Sequence, residues 1–144
     1  MEGVITIVVI LATATAFFFV WQRREGVIRE VSKGAVRLTA RQLKTSLGAH
    51  ATFVQFSTPL CSKCPGTRAL LQEVVADNQE VKFVEIDASE NVDLARTHGV
   101  MRTPTVIVLD SYGVPVVRMS GTLSHNQAYE ALTRIPPPDH EYSI

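Results

Sequence analysis

Cysteine is scarce in this chain, which carries two, Cys61 and Cys64. So few cannot cross-link a small secreted scaffold, which relies on several bridges in place of a core. Neither charge is in surplus, since 14 basic residues meet 14 acidic ones. A balanced chain lacks the basic footprint that a nucleic-acid partner demands, and none is expected. The histidines at 50, 98, 125 and 140 show no paired metal-ligand spacing, and no second cysteine pair is present. A four-ligand zinc site is therefore short of donors, and neither a metal nor another cofactor is expected. Charge is missing altogether from Gly3 to Trp21, and no internal repeat marks the rest.

That uncharged run is mostly Val, Ile, Ala and Phe. About 19 helical residues at about 1.5 Å each reach roughly 28 Å, close to the roughly 30 Å hydrocarbon core of a bilayer. Phe17, Phe18, Phe19 and Trp21 gather at its far end, and Arg23 and Arg24 follow. We read residues 1–22 as a transmembrane anchor. A cleaved signal peptide fits less well, because only Glu2 precedes the run where a basic segment is required. Arg23, Arg24, Arg29, Lys33 and Arg37 all follow the helix, with no Lys or Arg before it. The positive-inside rule then predicts a single-pass membrane protein with its remaining chain in the cytoplasm; the exported side is the alternative.

Residues 23–36 read as a polar connector, in which Val27, Ile28 and Val31 suit either a first strand or more membrane helix. Residues 37–135 read as one α/β domain. Thr39-Ala-Arg-Gln42 fits a capping box, Leu43 and Leu47 continue a helical stripe, and Gly48 fits a helix C-cap. Phe53-Val-Gln-Phe56 is a buried strand that Ser57-Thr58-Pro59 ends. From Cys61 onward Leu70, Leu71, Val74 and Val75 recur on one helical face. Val81 to Ile86 is apolar enough for a strand covered on both faces. Val92, Ala95 and His98 predict a short helix ending at Gly99, and Thr105 to Leu109 another buried strand. Asp110-Ser-Tyr-Gly113 fits a type I turn, and Pro115 assigns the returning strand toward an edge. Ser124 caps a last helix with Ala128, Ala131, Leu132 and Ile135 inward. Pro136-Pro-Pro138 stops it, and residues 136–144 read as a flexible tail.

The cysteines stand where a strand passes to a helix. A helix start offers free N–H groups and a partial positive charge, which favour thiolate over thiol. A cysteine there titrates below its ordinary value of about 8.5. Cys61, earlier and at the helix mouth, is the expected attacking thiol, and Cys64, a turn further in, the resolving one. Lys63 adds positive charge beside the thiols, and with Ser62 it is expected to tune them. An inert core pair and a pair of soft-metal-carrying thiolates are the other readings of the same residues.

The stretch from Phe53 to Leu71, with its Cys61-Ser-Lys-Cys64, resembles the active-site region of the thioredoxin superfamily. Val81-Lys-Phe-Val-Glu-Ile-Asp87 resembles that family's next central strand, and Thr103-Pro104-Thr105 its cis-proline segment. The resemblance implies a thioredoxin-like three-layer sandwich around a central mixed sheet. It further implies a thiol–disulfide oxidoreductase whose partners are a protein or small molecule with thiols or disulfides, and a recycling redox partner. Pro104 is then expected to be cis against the cysteines, with Thr103 pairing to an extended substrate.

Four departures accompany the likeness. Leu60 replaces the usual Trp before the first cysteine, and Ser57 a usual aromatic. Gln55 replaces a buried aspartate that moves protons beneath the second cysteine, and Phe83 replaces its partner lysine. Gln55 forms hydrogen bonds but does not titrate, so slow resolution and a narrow partner range are expected. A non-catalytic binding module at the membrane is the alternative of another class. Arg68, Glu85 and Arg102 read as surface charges.

Overall fold

Helix α1 (Glu2–Gln22) opens the chain in a computed structural model that describes residues 1–24 and 26–138. It is 21 residues long, with a mean hydropathy of 2.5 and no residue buried against the rest of the protein. Its few hydroxyls are satisfied internally: Thr6, Thr13 and Thr15 donate to the Glu2, Val9 and Leu11 carbonyls one turn back. Such a helix offers apolar surroundings no unpaired polar group along its length.

The rest alternates strands and helices: β1 (Arg29–Glu30), α2 (Ala40–Leu43), β2 (Ala51–Ser57), α3 (Cys64–Ala76), β3 (Val81–Asp87), α4 (Val92–Thr97), β4 (Thr105–Asp110), β5 (Pro115–Ser120) and α5 (His125–Thr133). The strands form one sheet in the order β1-β5-β4-β2-β3. β2 and β3 run parallel and every other pair antiparallel, so the sheet is mixed. Every residue of β2 is buried, and its pleat feeds two cores. Ala51 and Phe53 join Leu71 and Val74 of α3 and Ala128 and Ala131 of α5 on one face. Val54 and Phe56 meet Leu43 of α2 and Ala95 of α4 on the other. Helices thus cover both faces, which gives the expected three layers. Each fully buried Phe, Leu or Val side chain contributes about 1.5–3 kcal/mol, so β2 is the backbone of both cores.

The predicted capping box forms, with Gln42 answering Thr39, and the predicted Ser124 cap is completed by Gln127 as a second box. Asp110 makes the tight turn: its Oδ1 accepts from the Tyr112 and Val114 amides, each at 2.9 Å. Gly113 supplies the positive φ of 80° there. Its carbonyl accepts from the Leu38 amide at 2.9 Å, and a Cβ at Gly113 has no room beside the Leu38 carbonyl.

Several local expectations are corrected. Helix α2 stops at Leu43 because Lys44 turns left-handed, with φ 56°. Leu47 therefore lies outside any helix, and Gly48 serves not as a cap but to let the chain pass the Ala51 and Glu80 carbonyls, where a Cβ has no room. β3 lies at a sheet edge rather than centrally, and only Val81 and Ile86 in it are buried. Lys82 and Glu85 interrupt its apolar run, as charges on edges do. β5 is not at the edge, because β1 pairs with it; Pro115 is accommodated as the first residue of the strand, beside a bulge opposite Val108 and Leu109. The connector is also tied to the sheet. The Gly26 amide donates to the Ser120 carbonyl at 2.9 Å, and Gln127 Nε2 donates to the Gly26 carbonyl at 2.8 Å. Of the expected tail, residues 139–144 lie outside the described residues; Pro138 accepts a hydrogen bond from the Tyr112 hydroxyl at 2.8 Å.

Candidate active site

The register of the sheet assembles the site. Phe56 of β2 pairs with Thr105 of β4, so the loop leaving β2 and the loop entering β4 meet at one end of the sheet. The first carries Cys61 and the second carries Thr103-Pro104. The Thr58 and Thr103 hydroxyls lie 3.4 Å apart and link the two loops. The Thr103–Pro104 peptide is cis, Pro104 is buried, and its carbonyl accepts from the Gly121 amide at 2.9 Å.

Helix α3 begins at Cys64 and not at Cys61, with Lys63 as its N-cap. Cys61 therefore sits on the approach to the helix, in a turn closed by its own amide donating to the Thr58 carbonyl at 3.1 Å. The two cysteines are joined as a disulfide with Cα atoms 5.5 Å apart. Cys64 is only 1% exposed, whereas Cys61 is half-buried. A partner thus has access to one sulfur of the pair. Pro65 lies in the first turn of α3, where its missing N–H costs little. Ser62 and Lys63 are exposed.

Gln55 comes up from β2 directly beneath this pair. Its side chain is fully buried and Nε2 donates to the Cys64 carbonyl at 3.0 Å. Its Oε1 is buried and has no partner among the described residues. A carboxamide there holds the first turn of α3 in place, but it offers the sulfurs no titrating group.

Sequence reasoning missed how exposed the neighbours are. Leu60 and Met101 are each 97% exposed, one beside Cys61 and the other in the loop before Thr103. Apolar residues in a periodic pattern are expected inside, so nothing in the sequence marked Met101. A cavity of about 650 Å³ adjoins the site, walled by Ala88, Val92, Ala95 and Val100 and reaching Thr58 and Thr103. Arg102, read as a surface charge, lines that cavity with Arg96. Arg68 and Glu85 form an exposed two-point ion pair at 2.7 and 2.8 Å, which joins α3 to β3. Burial, and secondarily the Arg118 guanidinium, holds the His98 imidazole below its usual range, so it is neutral at pH 7.

Residues 35–134 match the family model for thioredoxin. The chain belongs to the thioredoxin family. Among curated proteins, NADPH-dependent thioredoxin reductase 3 of Arabidopsis thaliana is 39% identical over 54 residues, which is 37% of this chain and 10% of the reductase. The thioredoxin of Methanocaldococcus jannaschii is 32% identical over 54 residues, 37% of this chain and 64% of that protein. The match thus spans a tenth of the first relative and under two thirds of the other. Among solved structures, chloroplastic thioredoxin z superimposes with a TM-score of 0.56 at 24% identity, covering 72% of this chain and 95% of that one. That likeness speaks to the fold. With its cysteine pair closed at disulfide distance, this member of the thioredoxin family is a thioredoxin-like redox protein.

Proposed function

We propose that this thioredoxin-family chain is a membrane-anchored thiol–disulfide oxidoreductase that exchanges disulfides with a protein partner. The observation that carries the reading is the asymmetry of the pair: Cys61 is accessible, in a loop that Thr58 links to Thr103, and Cys64 is 1% exposed. In the reductive direction the Cys61 thiolate attacks a partner disulfide. One partner sulfur leaves as thiolate and a Cys61–partner disulfide forms. Cys64, after losing its proton, attacks the Cys61 sulfur and expels the second partner sulfur. Two electrons have then moved to the partner, and the Cys61–Cys64 disulfide remains. A reducing partner must return two electrons and two protons. Thr103 contributes backbone groups to an extended segment of the partner. Leu60 and Met101, fully exposed on either side, favour a protein over a small molecule, since together they present apolar area that only a broad surface covers.

Helix α1 supports the anchor, and the basic residues after it support a cytoplasmic domain, where reduction is the favoured direction. A reporter active on only one side of the membrane, fused after Ile144, tests this placement. Activity on the cytoplasmic side is expected; activity only on the exported side overturns it. Gln55 supports a second reading, a binding module with little turnover, because the side chain bonded to the Cys64 carbonyl does not titrate. The cysteine substitutions treated below separate the two readings.

A further inference from the structure

We propose that the cavity between the end of α1 and the sheet binds the phosphate headgroup of an anionic membrane lipid. The inference rests on the reading of α1 as a membrane anchor and adds a site to it. The cavity measures about 500 Å³ and brings together Arg24, Arg29, Arg102 and Arg118, with Trp21 and Met101 as apolar walls. Four arginines lining one space call for a counter-charge. Among the described residues no carboxylate pairs with any of them: the ion pairs present are Arg68–Glu85, His125–Glu73 and Arg134–Glu130. Glu30, next to Arg29, points to the opposite face of β1 by strand alternation.

The backbone forces part of this crowding. Arg29 and Arg118 are direct partners in the β1–β5 ladder, and like charges facing across a ladder repel. Arg118 is held in place regardless, donating to the carbonyls of His98 and of Gly99. Its Nε is buried without a partner among the described residues. Arg102 Nη2 reaches the Ser120 carbonyl only at 3.4 Å, and its other donors have no hydrogen-bond partner among the described residues. A phosphate accepts from several guanidinium groups at once, often through paired N–H donors, and so offsets the repulsion.

Position decides between a lipid and a free anion. Only residues 23–25 separate α1 from Gly26, which is hydrogen-bonded through both its amide and its carbonyl. The cavity is therefore held against the end of the apolar helix. A tryptophan at that end lies at headgroup depth, and basic residues there face anionic lipid. Met101 and Arg102 belong both to this cavity and to the loop before Thr103. A bound headgroup would thus hold the disulfide at the membrane surface and direct it to thiols carried there.

Trp21 is the only tryptophan in the chain and lines the cavity, so it reports directly. The full chain in uncharged detergent is titrated with phosphatidylglycerol, phosphatidylcholine of the same chain length, and inorganic phosphate, while Trp21 emission is followed. Native mass spectrometry counts bound lipid in parallel. Saturable binding of one phosphatidylglycerol is expected, with no response to phosphatidylcholine. Arg24→Gln with Arg29→Gln, both at exposed positions, is expected to weaken binding about tenfold or more. An equal response to phosphatidylcholine, unchanged binding in the double variant, or saturation by inorganic phosphate at the same concentration as lipid overturns the inference. Alkaline carbonate extraction of membranes tests the anchor separately: a chain that resists extraction yet ignores phosphatidylglycerol refutes the headgroup site alone.

Discussion

Replacing Cys64 with serine converts the protein into a trap: Cys61 still attacks, and the mixed disulfide with the partner accumulates. Replacing Cys61 with serine gives no adduct, because the remaining thiol is 1% exposed and no partner disulfide reaches it. Turnover in both variants falls to the uncatalysed background, yet the covalent adduct appears in one and not in the other. The asymmetry arises upstream of the chemistry. β2 ends at Ser57, the chain turns back at Thr58, and Cys61 is left on the approach to α3 while Cys64 enters the first helical turn. Non-reducing electrophoresis with a disulfide-bearing protein substrate reads the result. Identical behaviour of the two variants and the parent chain would instead favour a binding module.

The second expected result concerns the proton that Cys64 must lose. Gln55→Glu keeps the size of the side chain and places a titrating group against the first turn of α3. The rate of mixed-disulfide resolution at neutral pH is expected to rise by about 100-fold, the lower range for a positioned general base. The substitution also has a cost in stability. Gln55 is fully buried and its Nε2 donates to the Cys64 carbonyl. An ionised glutamate would turn an acceptor toward that carbonyl, so burial and the carbonyl both favour the protonated form. The folded-state carboxyl therefore titrates above its unfolded value of about 4.3. Between those two values the folded protein holds more protons than the unfolded one, so stability falls as pH rises and levels off above the folded value. Chemical denaturation across that range, beside single-turnover kinetics, checks both halves. An unchanged resolution rate in a folded Gln55→Glu protein would show that proton removal from Cys64 does not limit the reaction.

Much of this site was legible because its parts are written in neighbouring residues. The apolar run to Phe56, the Ser-Thr-Pro break and the C-x-x-C spacing lie within one stretch, and the Thr39–Gln42 capping box is a four-residue signal. What escaped the sequence depends on distant pairing. A two-residue strand such as Arg29–Glu30 has no periodicity to detect, so the sequence did not decide between a first strand and more membrane helix there. Once β1 covers β5, Pro115 is no edge marker, and the open edge passes to β3, whose apolar run had suggested a central place. The stop at Lys44 rests on a single left-handed residue with a non-glycine side chain, which local preference does not announce. The exposed Met101 and the arginine-lined cavity are properties of where loops come together, and no short segment encodes them.

The account depends on a thiolate at Cys61 in the reduced protein. A lowered thiol pKa raises the attack rate at neutral pH less than the thiolate fraction alone suggests, because an acidified sulfur is also a weaker nucleophile. The pH dependence is therefore the better measure. Alkylation of the reduced chain across pH, resolved by mass spectrometry into Cys61 and Cys64, gives the midpoint for each. A Cys61 midpoint well below the ordinary thiol value of about 8.5, with Cys64 alkylated far more slowly at every pH, is the expected result. A Cys61 midpoint at or above that value, together with equal labelling of the two cysteines, would contradict it.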